Sequence, residues 1–160
     1  MTVVLVTAPP GREGDAILEL EWSLGRVKVR GTDWRGVLIG ETPLPRNEVV
    51  ERLRNFETQA IQRLIPFDRF VSARWEELER AALELGEKID GTFAVRARVR
   101  GNKKLSAREI EIRLGSVIVG LGKEVNLGDP DYTLMVEVLG RRAGLSLVRR
   151  GELPRFEVRE

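Results

Sequence analysis

Thr92-Phe93-Ala94-Val95-Arg96-Ala97-Arg98-Val99-Arg100 alternates without a break. Phe93, Val95, Ala97 and Val99 fall on one face of a strand, and Arg96, Arg98 and Arg100 on the other. Gly101-Asn102-Lys103-Lys104 follows as a loop, and Ser106-Ala107-Arg108-Glu109 then forms a capping box, the sequence signal for a helix N-terminus. Ile110, Leu114, Val117, Ile118 and Leu121 trace the apolar stripe of that helix up to a Gly120/Gly122 stop. Downstream, Val125-Asn126-Leu127 leads into a Gly128-Asp129-Pro130-Asp131 turn. Tyr132, Leu134, Val136 and Val138 alternate as a second strand, and residues 145–148 form a last one. Upstream, Trp75, Leu78, Ala82, Leu85 and Ile89 step by three and four, a helix for which Ser72 is the expected cap and which Gly86 and Gly91 weaken and end.

The first 71 residues read separately. Residues 2–7 (TVVLVT) form a buried strand closed by Ala8-Pro9-Pro10-Gly11. Ile17, Leu20 and Leu24, with Leu18 and Trp22 nearby, take helical spacing up to Gly25, and Val27, Val29 and Val37, Ile39 make a hairpin around Gly31-Thr32-Asp33. Val49, Val50, Leu53 and Phe56 mark a second helix, and residues 61–71 are strand-like apart from Pro66. The order β-α-β-β-α-β is that of a ferredoxin-like split β-α-β unit, with two helices over one face of an antiparallel sheet. The expectation is an α+β chain with a ferredoxin-like domain over 1–71 and a second α/β domain over 72–160, whose tail after Gly151 is loosely held.

Composition bounds the chemistry. With 160 residues and 42% apolar content the chain can build a core. It has neither Cys nor His, which removes disulfides, thiolate zinc sites, the commonest metal ligand and the usual general base. Neither a membrane span nor a signal peptide fits residues 1–11, so the reading is a soluble cytoplasmic protein. Charged residues at 32%, with two Met, match the drift of proteins from hot environments.

The net charge of +2 hides an uneven distribution. Residues 92–108 hold Arg96, Arg98, Arg100, Lys103, Lys104 and Arg108 with no acid, and residues 140–150 hold Arg141, Arg142, Arg149 and Arg150 with no acid. These ten cations are the candidate nucleic-acid-binding residues, and they leave the remainder at −8. Arginines at alternate strand positions lie about 7 Å apart on one face, near the spacing of successive phosphates on a nucleic-acid strand. The Lys103-Lys104 loop and the positive N-terminus of the helix after it are placed to converge on a phosphate region. The competing reading is a solvated basic face paired with the surplus acids Glu76, Glu77, Glu79, Glu84 and Glu87.

The run Gly91-Thr92-Phe93-Ala94-Val95-Arg96, then Arg98-Val99-Arg100-Gly101, Ser106-Ala107-Arg108-Glu109, Val125-Asn126-Leu127 and Asp129-Pro130-Asp131, resembles a THUMP domain. The resemblance includes the common pairing of that domain with an N-terminal ferredoxin-like unit. With no pyrophosphatase loop, methyltransferase region or pseudouridine synthase domain seen in these residues, the chain is most similar to stand-alone THUMP adaptors of tRNA cytidine acetylation. The resemblance implies binding of tRNA, usually at its acceptor end, and its presentation to a separate acetyltransferase that forms N(4)-acetylcytidine. It also implies RNA contacts by Arg96, Arg98, Arg100, Lys103, Lys104 and Arg108, with no cofactor and no metal. Many THUMP domains place a His where this sequence has Asn102 to Lys104.

Other signals point to structure. Asp129 and Asp131 are read as turn residues rather than a metal pair, and Gly11-Arg12-Glu13-Gly14 lacks a Walker lysine. Trp22 and Trp75 are expected in the core and Trp34 on the surface. Two further functions compete with the adaptor: a protein-interaction module without RNA, and a small hydrolase, for which no nucleophile or phosphate loop is visible.

Overall fold

A computed structural model describes residues 1–153; from residue 154 on, the expected loose tail and the end of the expected second domain lie outside the described residues. The described residues divide into two compact units, Met1–Phe67 with 151–153, and Asp68–Arg150.

The first unit runs β1 (Thr2–Thr7), α1 (Glu13–Leu24), β2 (Lys28–Gly31), β3 (Val37–Thr42), α2 (Arg46–Arg54) and β4 (Arg63–Pro66). Its sheet has the order β2-β3-β1-β4, with every neighbouring pair antiparallel. This is the expected ferredoxin-like arrangement, with β1 and β3 central because the two helical crossovers carry the chain across them. Val4, Val6, Leu38 and Leu64 of the sheet meet Ala16, Leu20 and Leu24 of α1 and Val49 and Leu53 of α2 in one core. The loop before β4 is held by a side chain that periodicity does not single out. Glu19, only 8% exposed, accepts hydrogen bonds from the backbone N–H groups of Gln59 (2.7 Å), Ala60 (3.1 Å) and Ile61 (2.9 Å).

Trp22 is a correction. It is 68% exposed, because at 100° per residue it lies roughly 200° around α1 from buried Leu20 and shares an outward stripe with Leu18.

The second unit runs β5 (Arg69–Ser72), α3 (Trp75–Gly86), β6 (Thr92–Arg100), α4 (Ala107–Val119), β7 (Glu124–Val125), β8 (Tyr132–Leu139) and β9 (Arg142–Arg149). The sheet order is β5-β9-β8-β6-β7, with β6 parallel to β7 and β8, and β9 antiparallel to β8 and β5. Phe93 and Val95 of β6 pack with Leu134, Val136 and Val138 of β8 against Leu78, Ala82 and Leu85 of α3 and Ile110, Leu114 and Ile118 of α4. The apolar face read from Thr92 to Arg100 is thus the helix-covered face. Gly86 marks the close approach of the two helices: a Cβ there would lie 3.1 Å from both Ile118 and Leu121 side chains.

Two local readings change. Residues 61–71 are not one interrupted strand. β4 ends at Pro66 and pairs with β1, whereas β5 starts at Arg69 and pairs with β9 of the other sheet. The unit division accordingly falls between Phe67 and Asp68 rather than after Val71. Ser72 ends β5 and does not cap α3, whose N-cap is Arg74 with no side-chain cap bond.

Candidate nucleic-acid interface

Register brings the two basic stretches together. Because β6 and β8 run parallel with Arg100 opposite Leu139, the loop after β6 lies beside the β8–β9 turn. Three hydrogen bonds fix this junction: Gly140 N–H donates to Arg100 C=O at 2.8 Å, Asn102 Nδ2 to Gly140 C=O at 3.0 Å, and Ala73 N–H to Arg141 C=O at 2.8 Å. Asn102 Oδ1 in turn accepts from Lys104 N–H (2.9 Å) and Leu105 N–H (3.2 Å), an Asx turn that shapes the loop carrying Lys103 and Lys104. Asn102 is therefore a backbone organiser.

Around this junction lies a cavity of about 550 Å³, lined by Arg74, Lys103, Lys104 and Arg141 with the intervening backbone of Gly101, Asn102 and Gly140. All four cationic residues are exposed, and none makes a salt bridge among the described residues. Three of the five acids expected to neutralise a basic face are occupied elsewhere: Glu77 pairs with Arg80, Glu79 with Arg113, and Glu84 with Arg69. Four like charges converging from three chain segments repel one another, and an anion relieves that repulsion. The helix terminus that lines the cavity is that of α3, at Arg74, while at the start of α4 the Glu109 N–H is capped by Ser106 Oγ at 3.1 Å. Arg74 escapes a sequence reading because Glu76 and Glu77 follow it closely and offset its charge. Only the β5–β9 pairing carries it to Arg141.

The remaining expected contacts separate from this cavity. Arg100 is half-buried and pairs with Glu137, whose side chain is 2% exposed, at 3.3 Å. Arg142 stacks on the Phe70 ring at 4.4 Å and reaches the carbonyls of Phe70 and Val71. Arg150 bridges Asp129 (3.3 Å) and Asp131 (3.0 Å). Arg98 and Arg149 are each engaged in an interaction of their own. Arg96 donates to Leu127 C=O at 2.8 Å and, with Arg108, lines a different concavity. The strand arginines are thus not an evenly spaced free ladder, since long guanidinium side chains on a sheet face reach the nearest acceptor. Among the tryptophans, Trp75 is half-buried beneath the Arg113 guanidinium, 3.8 Å from the ring centroid, and Trp34 is half-buried.

Asp131 closes the other end of β6. Its Oδ2 accepts from Thr92 N–H (2.9 Å) and Thr92 Oγ1 (3.1 Å). Gly91, at φ +141°, is needed beside it, since a Cβ would lie 2.5 Å from that oxygen. The two Thr92 bonds, and secondarily the Arg150 charge, hold the Asp131 carboxyl below its ordinary value of 3.8. A lowered folded-state value means the stabilisation is complete above the ordinary value and is lost as pH falls through it toward the folded one. Asp131→Asn is therefore expected to flatten the fall of the urea midpoint below about pH 4. A residual acid sensitivity should persist through Glu13, whose carboxyl is lowered likewise by backbone N–H groups, including those of Gly36 and Gly11. An unchanged pH profile in the Asn variant would remove Asp131 from the acid response.

Several known proteins are similar to parts of this chain. The family model for the THUMP domain matches residues 72–148, which lie within the second unit. Over 67 residues, 41% of this chain, the sequence is 42% identical to a probable tRNA sulfurtransferase of Aeropyrum pernix, covering 17% of that protein. Among solved structures, PH1313 of Pyrococcus horikoshii superposes with a TM-score of 0.71 at 21% identity, over 93% of this chain and 55% of that one. A 4-thiouridine synthetase solved with RNA and bound ATP gives 0.63 at 23% identity, over 93% of this chain and 42% of the other. At such identities the structural likeness establishes the fold, which is the expected α+β one. The chain spans only part of the length of each of these relatives. No helix among the described residues is long and apolar enough to cross a membrane.

Proposed function

We propose that this chain is a tRNA-binding adaptor that performs no chemistry itself. The cavity of Arg74, Lys103, Lys104 and Arg141 grips the phosphate backbone near the acceptor end of a tRNA, and the bound tRNA is presented in the cytoplasm to a separate acetyltransferase that forms N(4)-acetylcytidine. The observation that carries this reading is the convergence, from three chain segments, of four cations that make no ion pair among the described residues, within the stretch matched by the THUMP-domain model. The sulfurtransferase likeness and the RNA-bound synthetase support tRNA as the polyanion. The lack of His and Cys in these 160 residues favours positioning over bond-making.

Fluorescence anisotropy with labelled tRNA across a salt series tests the binding step. The logarithm of affinity should fall linearly with the logarithm of salt, with a slope of about −3 to −4 for four phosphate contacts. A flat response would sink it. Nucleoside analysis of tRNA from a deletion strain tests the partner. Loss of acetylcytidine supports the acetyltransferase, and loss of another modified base reassigns the enzyme while retaining the RNA site.

A further inference from the structure

A second concavity, of about 560 Å³, lies between α4, the edge of β6, and β7 with the residues after it, and it shares no lining residue with the basic cavity. Ile112 and Val119 of α4 and Val125 and Leu127 border it, and they are 61%, 48%, 44% and 64% exposed. Among the described residues of the second unit, Leu83 is the one other large apolar side chain so exposed. Solvated aliphatic side chains gathered in one groove mark an interaction surface.

The backbone beside them is an unfinished sheet edge. β7 pairs only with Thr92 and Phe93, so the rest of the nine-residue β6 has no neighbouring strand on that side. Phe93 C=O points to this edge, where it accepts from Asn126 N–H at 2.9 Å, and by alternation the peptide groups of Val95, Ala97 and Val99 point there too. Ala97 N–H is met by a side chain rather than a strand: it donates to Glu111 Oε2 at 3.0 Å. A carboxylate capping an edge strand blocks indiscriminate pairing while leaving the edge available to a stronger competitor. Arg96 and Arg108 line the same groove and make no salt bridge among the described residues.

We propose that this groove docks an extended segment of a partner protein in which aliphatic and acidic residues alternate. The segment adds to the β6 edge, replaces the Glu111 carboxylate at Ala97 N–H, seats its aliphatic side chains on the α4 side between Val119 and Leu127, and turns its alternating carboxylates to Arg96 on the other face. The aliphatic walls favour a peptide over RNA: the one aromatic lining residue, Phe93, is 1% exposed and offers no face on which a base can stack. The surface is independent of the RNA-binding reading, and it takes Arg96 and Arg108 out of the RNA contacts expected from sequence.

The test is an amide-proton NMR titration of the whole chain with a short peptide alternating valine and glutamate, beside a control with lysine for glutamate. Shifts at Ala97, Val99, Val119 and Leu127 with the acidic peptide alone are expected. Val119→Glu combined with Leu127→Glu should weaken binding by about tenfold or more while tRNA affinity is retained. Glu111→Ala should strengthen it severalfold, an effect that a purely structural Glu111 would not produce. No shifts, equal shifts with both peptides, weaker binding by the Glu111 variant, or shifts at these amides produced by a single-stranded oligonucleotide in place of the peptide would each overturn the proposal. Retained peptide binding after charge reversal at Lys103 and Lys104 separates its outcome from that of the tRNA site.

Discussion

Replacing Lys103 and Lys104 together with glutamate is expected to lower tRNA affinity by about 100-fold at near-physiological salt and to reduce the salt slope by about two. Both residues stand on the loop that Asn102 shapes, both are exposed, and neither makes an ion pair among the described residues. Their reversal therefore breaks nothing in the fold and places two carboxylates where two phosphates are expected. Unfolding midpoints should stay within about 0.5 kcal/mol of the parent, the range for surface substitutions. Arg100→Gln is the informative contrast. It removes a guanidinium from the nearly buried Glu137 carboxylate, so its cost should appear mainly in stability and only weakly in RNA affinity. If the double reversal leaves affinity within a factor of about two, the phosphate site lies elsewhere on the chain; if Arg100→Gln abolishes binding in a folded protein, the strand arginines carry it after all.

That contrast also locates the limit of what could be read from the chain alone. The strand from Thr92 to Arg100, the Ser106-capped helix after it and the β-α-β-β-α-β order were all legible, because alternation, capping chemistry and helical spacing are local properties. Which arginines stay free was not. Charge counting treats Arg100 and Lys103 alike, yet strand pairing sets Arg98 opposite Glu137 and so brings that carboxylate within reach of Arg100, while Lys103 sits on an exposed loop and makes no ion pair among the described residues. Arg74 joined the cluster for the same reason in reverse, delivered by the pairing of β5 with β9. Residues 61–71 were misread because apolar content says that a segment pairs but not with which sheet. The chain changes sheets at Phe67 and Asp68, whose N–H groups donate to Val3 C=O and Leu145 C=O respectively. Trp22 was misread by proximity in sequence to Leu20 and Leu24, although its helical angle puts it on the opposite side.

Glu19→Ala should cost the first unit about 3 kcal/mol, as much as a typical truncation in its apolar core. The carboxylate sits almost fully buried on α1 and gathers the N–H groups of Gln59, Ala60 and Ile61, three consecutive donors that no strand or helix satisfies. Truncation deletes the acceptor and leaves the donors in place, the expensive half of the hydrogen-bond asymmetry, since a buried donor without a partner costs about 1–3 kcal/mol. The loop concerned precedes β4, so its loosening unpins Ile61 and Leu64 from the core they share with Leu20 and Leu53. Glu19→Gln keeps one carbonyl oxygen as acceptor and brings two N–H donors to face three others, and it should fall between parent and Ala variant. Urea denaturation gives the size of the loss, and amide exchange gives its place, with Gln59, Ala60 and Ile61 accelerated ahead of the β1–β3 ladder. Glu21→Ala, two residues along α1 on its exposed side, should cost less than about 0.5 kcal/mol. If Glu19→Ala cost no more than that control, the carboxylate would not be holding the loop, and the stability of the first unit would have to come from its apolar core alone.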